Sequence, residues 1–148
     1  MRQTKKARCS ERGSTLVEFA IGATLFLTVM FGVIEFGRAL WVHNALSDAA
    51  RRGTRYAVVH TAADSAAVKN VVVYGDPAGG STPLVDNLTT SNVNVTYSAF
   101  GLNGGTATVS INNYEFKFII PIVSTSIQMP NYSTTLTAES AGLIPANL

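Results

Sequence analysis

Charge and cysteine are scarce in this sequence, and proline is late to arrive. Charged residues make up only 14% of the chain and apolar residues 47%, whereas ordinary soluble proteins are roughly a quarter charged. Such a deficit is expected where a chain is buried in lipid or against a neighbouring subunit. A single cysteine, Cys9, excludes an internal disulfide and a thiolate metal cluster. Nor does Cys9 fit a lipoprotein, because the basic residues 5–8 precede it where an apolar segment should stand. The two histidines, His43 and His60, are seventeen residues apart with no carboxylate at ligand spacing, so no zinc site is expected. There is no Gly-x-Ser-x-Gly, and the glycine-rich residues 75–82 lack the lysine of a phosphate-binding loop. Nothing assembles a nucleophile with a base, so the chain is expected to be no enzyme and to need no cofactor and no metal. No proline occurs before Pro77, which leaves the N-terminal half free to be helical.

The net charge of +2 is an average over two unlike regions. Residues 1–12 carry Arg2, Lys5, Lys6, Arg8 and Arg12 against Glu11; the rest has six basic and eight acidic residues. The body is therefore mildly acidic, and a nucleic-acid partner is not expected. The basic stub is too polar to pack and is expected to be unstructured.

What is present instead is a long apolar run. Residues 19–34 contain no formal charge, and a lone carboxylate stands at each end, Glu18 and Glu35. The run is apolar all round, which marks a buried helix, most simply one in a bilayer. Sixteen residues rise roughly 24 Å against a hydrocarbon core of about 30 Å, and Leu16 and Val17 close most of the gap. A transmembrane segment at about residues 16–35 is predicted, with the lipid bilayer as its first partner. Ala20, Thr24, Thr28 and Gly32 recur at four-residue steps. Such a ridge of small residues permits close helix approach in lipid; equally, the threonine hydroxyls can simply bond to their own helix. Glu35 and Arg38, three apart, are placed to pair at the outer membrane edge.

Past Glu35 the pattern becomes one-sided. Phe36, Ala39, Leu40, His43, Leu46, Ala50, Gly53 and Ala57 form a narrow stripe, while Asp48, Arg51, Arg52 and Arg55 gather elsewhere, Asp48 within reach of Arg51 or Arg52. A single helix over residues 14–60 is predicted, leaving the membrane in its second half. Residues 61–73 read two ways, as an alanine-rich short helix or, at Val71-Val72-Val73-Tyr74, as a strand. Residues 75–83 are a loop. The period then becomes two in residues 93–98 and 107–111, around a turn at 101–105; residues 114–120 are strand-like, and residues 132–139 form a last threonine-rich strand after a loop at 128–131. The expected fold is α+β: a long N-terminal helix, transmembrane in its first half, then a small, mostly antiparallel sheet over residues 61–148 with Asn, Ser and Thr on its wet face.

Arg12-Gly13-Ser14-Thr15-Leu16-Val17-Glu18-Phe19 resembles the processing site of type IVb prepilins: a glycine after a basic leader, a glutamate five residues past the cut, then an aromatic. With Glu35-Phe36-Gly37-Arg38 and Ala49-Ala50-Arg51-Arg52-Gly53 added, residues 12–57 resemble the TadE family, pilin-like proteins of the tight-adherence (Tad) pilus machinery. The remainder is similar only in architecture, a helix followed by a sheet. The resemblance implies a pilin-like fold and a leader of residues 1–13. It implies that a prepilin peptidase cuts between Gly13 and Ser14, and that Glu18, next to Phe19, pairs with the N-terminal amine of a neighbouring subunit. It further implies other pilin subunits and the Tad inner-membrane assembly platform as partners.

Physics supports that role for Glu18, because a carboxylate in hydrocarbon costs up to about 3 kcal/mol and an ammonium partner offsets it. The alternative is a glutamate that snorkels to the interface without a partner. Arg2 to Arg12 argue for a cytoplasmic N-terminus, and the denser cluster there outweighs Arg38, Arg51, Arg52 and Arg55 on the other side. The resemblance implies a single-pass protein of the bacterial inner membrane with a periplasmic C-terminal domain, and the extracellular pilus as the destination after assembly. Against this stands an uncleaved membrane anchor whose outer domain binds a partner in the cell envelope. A cleaved secretory signal fits poorly, since Ala45-Leu46-Ser47 lies too far beyond the apolar run.

Overall fold

A computed structural model of the chain describes residues 10–98, 105–119 and 126–137. The chain divides into two compact units, Met1–Arg38 and Ala39–Leu148. One helix, α1 (Ser10–Val59), contributes to both. Its described part reaches back beyond the expected Ser14, so residues 10–12, expected to be unstructured, are helical backbone; the rest of the basic leader, residues 1–9, lies outside the described residues.

In the first unit the described part is this helix alone. Its large apolar side chains stand uncovered: Phe19 is 73% exposed, and Leu16, Ile21, Leu25, Phe26 and Val29 are also open. None of its most apolar stretch is buried within the chain, and the helix is long and apolar enough to cross a membrane. An uncovered apolar surface of this extent marks a site that lipid or protein covers.

The second unit packs α1 against a second helix and a sheet. Here α1 buries Val42, Leu46, Ala49, Ala50, Thr54, Ala57 and Val58. The expected stripe is thus rotated. Phe36 and Leu40 are exposed instead of buried, and Val42, Ala49, Thr54 and Val58 take the inward positions. Small residues let the helix approach its neighbours closely, so the core side carries alanines and a glycine while bulkier side chains face out. Asn44, Asp48, Arg51, Arg52 and Arg55 stand outward, with Asp48 bonded to Arg52 at 3.1 Å.

The ambiguous segment is helical: α2 (Ser65–Tyr74) follows a short 3-10 turn at Ala62–Asp64. Val68, Val71 and Val72 recur at helical spacing and are buried, so packing overrides the strand preference of three consecutive valines. Gly75 ends α2 in a left-handed conformation (φ 80°), its N–H donating to the Val71 carbonyl. The following loop is held by the Tyr114 hydroxyl, which donates to the Asp86 carbonyl at 2.7 Å.

Three antiparallel strands form the sheet in the order β1 (Val93–Ser98), β2 (Thr106–Ile111), β5 (Tyr132–Thr137). Register pairs Val95 with Val109 and Val109 with Thr134. Val93, Ala107, Val109, Ile111 and Tyr132 face the core. The outward face carries Asn94, Thr96 and Ser98, then Thr106, Thr108 and Ser110, then Ser133, Thr135 and Thr137, with no formal charge among them. Thr108 and Thr135, opposite in register, share a hydroxyl hydrogen bond of 2.7 Å. Between β2 and β5 lies a two-stranded ribbon, β3 (Glu115–Lys117) and β4 (Ser126–Gln128). Strand β3 is shorter than the expected 114–120, and β4 ends at Gln128, where a loop was expected to begin. Residue 120 and residues 138–139 of the expected last strand lie outside the described residues.

Gly53 lies where α1, α2 and β2 converge. A β-carbon there would overlap Val72 Cγ2 and come within 3.4 Å of Val109 Cγ1. Both neighbours are fully buried and have no room to retreat. Gly53→Ala is therefore expected to destabilise the second unit by about 1–3 kcal/mol. Gly37→Ala, where nothing lies within 4 Å, should leave stability unchanged or slightly raised. Thermal unfolding of the two variants in detergent checks the contrast.

Candidate functional site: the apolar helix and its two carboxylates

The residues singled out in the sequence all fall on α1. Gly13, Ser14, Glu18 and Phe19 are exposed, and the Gly13–Ser14 peptide bond lies within the helix. Among the described residues Glu18 has no hydrogen-bond or ion-pair partner.

Four-residue steps place Ala20, Thr24, Thr28 and Gly32 in one line along the helix. The Thr24 hydroxyl donates to the Ala20 carbonyl, and the Thr28 hydroxyl to the Thr24 carbonyl, each at 2.8 Å. The hydroxyls are satisfied within their own helix. What the line offers a neighbouring surface is therefore low relief and methyl groups, not spare donors. The absence of bulk at Ala20 and Thr24 leaves a shallow apolar groove lined by Val17, Ala20, Ile21, Thr24 and Leu25.

At the far end of the apolar run, Glu35 and Arg38 are brought together. Arg38 donates to the same carboxylate oxygen from Nε at 3.1 Å and from Nη2 at 2.8 Å. Glu35 is only 6% exposed, a burial that spacing alone did not indicate. Burying a carboxylate is costly unless it is paired and hydrogen-bonded, and the guanidinium supplies both conditions one helical turn away.

In the second unit both histidines make contacts among the described residues. His43 Nδ1 lies 2.8 Å from the Tyr132 hydroxyl, tying α1 to β5. Burial raises the Tyr132 pKa above its ordinary value, so the phenol stays protonated and able to donate. The Tyr97 pKa is raised too, by burial first and then by the charge of Asp64. The His60 ring stacks on Tyr56 at 3.7 Å, and its Nδ1 lies 2.9 Å from the Tyr56 carbonyl. Among the described residues no group of three or more His, Cys, Asp or Glu side chains is gathered to hold a metal ion.

Removing the guanidinium by Arg38→Ala leaves the Glu35 carboxylate buried without its charged donor. The expected loss is about 1.5–3 kcal/mol, and replacing both residues, Glu35→Gln with Arg38→Ala, should restore part of it. A double-mutant cycle by thermal unfolding in detergent measures the coupling.

Residues 13–55 match the family model described as TadE-like protein. The matched segment is less than a third of the chain, lies wholly within α1, and covers both carboxylates, the line of small residues and Gly53. No curated protein and no solved structure matches the chain. Within this α+β chain the similarity to the TadE-like family is thus carried by α1, a helix long and apolar enough to cross a membrane.

Proposed function

We propose that the chain is a pilin-like structural subunit of a Tad-type pilus, acting in pilus assembly or adhesion. It is made as a prepilin whose leader is removed between Gly13 and Ser14 by a prepilin peptidase. The observation that carries this reading is the condition of α1 in a TadE-like segment. The apolar side chains of its first half are uncovered, and Glu18, at the entrance of the apolar run, is without a partner among the described residues. A helix of that kind is suited to two successive environments, lipid before assembly and the helices of neighbouring subunits afterwards.

After cleavage Ser14 carries a free ammonium, and Glu18 stands about 6 Å along the helix from it. The same distance separates the two groups in every copy. An axial offset of that size between neighbours sets one subunit's ammonium beside the next one's carboxylate. Pairing removes two charges from a medium that solvates neither. Subunit entry is thereby favoured in one register. The line Ala20, Thr24, Thr28 and Gly32 lets the neighbouring helix approach closely at that register. Before assembly the protein is held in the bacterial inner membrane with its N-terminus cytoplasmic and the second unit periplasmic. The Tad inner-membrane assembly platform and other pilin-like subunits are its partners there.

Two measurements test the reading. The mass of the protein isolated from membranes is expected to show Ser14 as the first residue; a chain that keeps its leader supports the rival, an uncleaved anchor. Glu18→Gln is expected to weaken subunit addition by about 10- to 100-fold, the worth of one charge-assisted hydrogen bond, while cleavage continues. Piliation and N-terminal sequencing of the variant report the two effects separately.

A further inference from the structure

We propose that the outward face of α1 at Leu40 and Trp41 lies in the headgroup layer of the bilayer, with Trp41 setting how far the helix emerges. The inference rests on the reading of α1 as membrane-spanning. Composition alone places the outer limit of the span at Glu35, but Glu35 is a poor boundary marker. Its carboxylate is buried and held by Arg38, so its charge does not need bulk water. The apolar character of the outward side also continues past it.

Phe36 is 67% exposed, Leu40 48% and Trp41 59%. On the same side of the helix the next outward residues are Asn44, Asp48, Arg51 and Arg55, all polar and exposed. The change from apolar to polar therefore falls between Trp41 and Asn44. The opposite side of those turns is already in the protein core through Val42 and Leu46, so only the outward side is free to meet lipid.

Trp41 is the one tryptophan of the chain. Among the described residues it has no hydrogen-bond or ring partner, which leaves its indole N–H available to headgroup oxygens. Tryptophan concentrates at the membrane–water interface because its ring is apolar and its N–H is polar. Six residues beyond Glu35 correspond to about 9 Å of helical rise, and the polar layer on each side of the hydrocarbon is roughly 5–8 Å deep. Trp41 falls within that layer if the hydrocarbon ends a few ångströms beyond Glu35, as the exposed Phe36 and Leu40 indicate. Lipid is the occupant that the continuity of this face with the uncovered apolar run favours.

Because Trp41 is unique, its fluorescence in the full chain reports one position. The chain is reconstituted at low protein-to-lipid ratio into phosphatidylcholine vesicles whose lipids carry bromine either near the carbonyls or near the chain ends. The expected result is a blue-shifted emission, quenched several-fold better by shallow bromine than by deep bromine or by aqueous acrylamide. A parallel variant, Trp41→Phe with Val29→Trp, moves the reporter to the middle of the apolar run and should be quenched best by deep bromine. If that second reporter escapes lipid quenching, the membrane-spanning reading itself fails. If it is deep while native Trp41 is quenched by acrylamide, by deep bromine, or by nothing because a second copy shields it, this inference alone is overturned.

Discussion

A helix whose most apolar stretch is left unburied by its own chain has to be covered by something else, and that single requirement governs the first half of α1. The cover must be lipid or another protein, since water solvates the surface too poorly for the state to persist. Each feature of the first half of α1 is intelligible as an accommodation to that cover. The threonines satisfy their hydroxyls on their own backbone, and the second carboxylate brings its own cation one turn away. Only Glu18 departs from this economy, and in the proposed function that departure is what gives the helix a preferred register.

The second half of α1 answers to a different environment. There the inward side is built from small residues, so that a sheet and a short helix can come close, with Gly53 as the point of nearest approach. Thr54 is fully buried beside it, and its hydroxyl donates to the Ala50 carbonyl at 2.8 Å and to the Thr134 carbonyl at 3.2 Å. A polar group is thus tolerated in the core because both acceptors are in place. The TadE-like match runs through both halves, so one stretch of sequence carries lipid-facing bulk and core-facing small residues in succession.

Much of this was legible in the residues. The uncharged run, the Glu35–Arg38 spacing and the two-residue period of β1 and β2 each followed from simple periodicity. The phase of the second half of α1 did not. Phe36 and Leu40 are large apolar residues at its start and drew the predicted stripe toward themselves, although large side chains next to an apolar run need not point into the protein. Val42 and Ala49 lie inward because the sheet and α2 accept them, and that acceptance is a tertiary fact. Similarly, Val71-Val72-Val73 has the composition of a strand, and only the burial of Val68 and Val72 on one helical side decides for helix. Strand β4 has three exposed residues and a single neighbour, so no pattern announced it.

The outer surface of the three-stranded sheet carries hydroxyls and one amide where most exposed sheets carry lysine and glutamate. Without fixed charges it generates little electric field, gathers no counter-ion cloud, and neither attracts nor repels a molecule approaching from a distance. Whatever meets it does so by short-range contact, at a strength that dissolved salt scarcely alters. That leaves one flank of the domain chemically the same in fresh and in saline water.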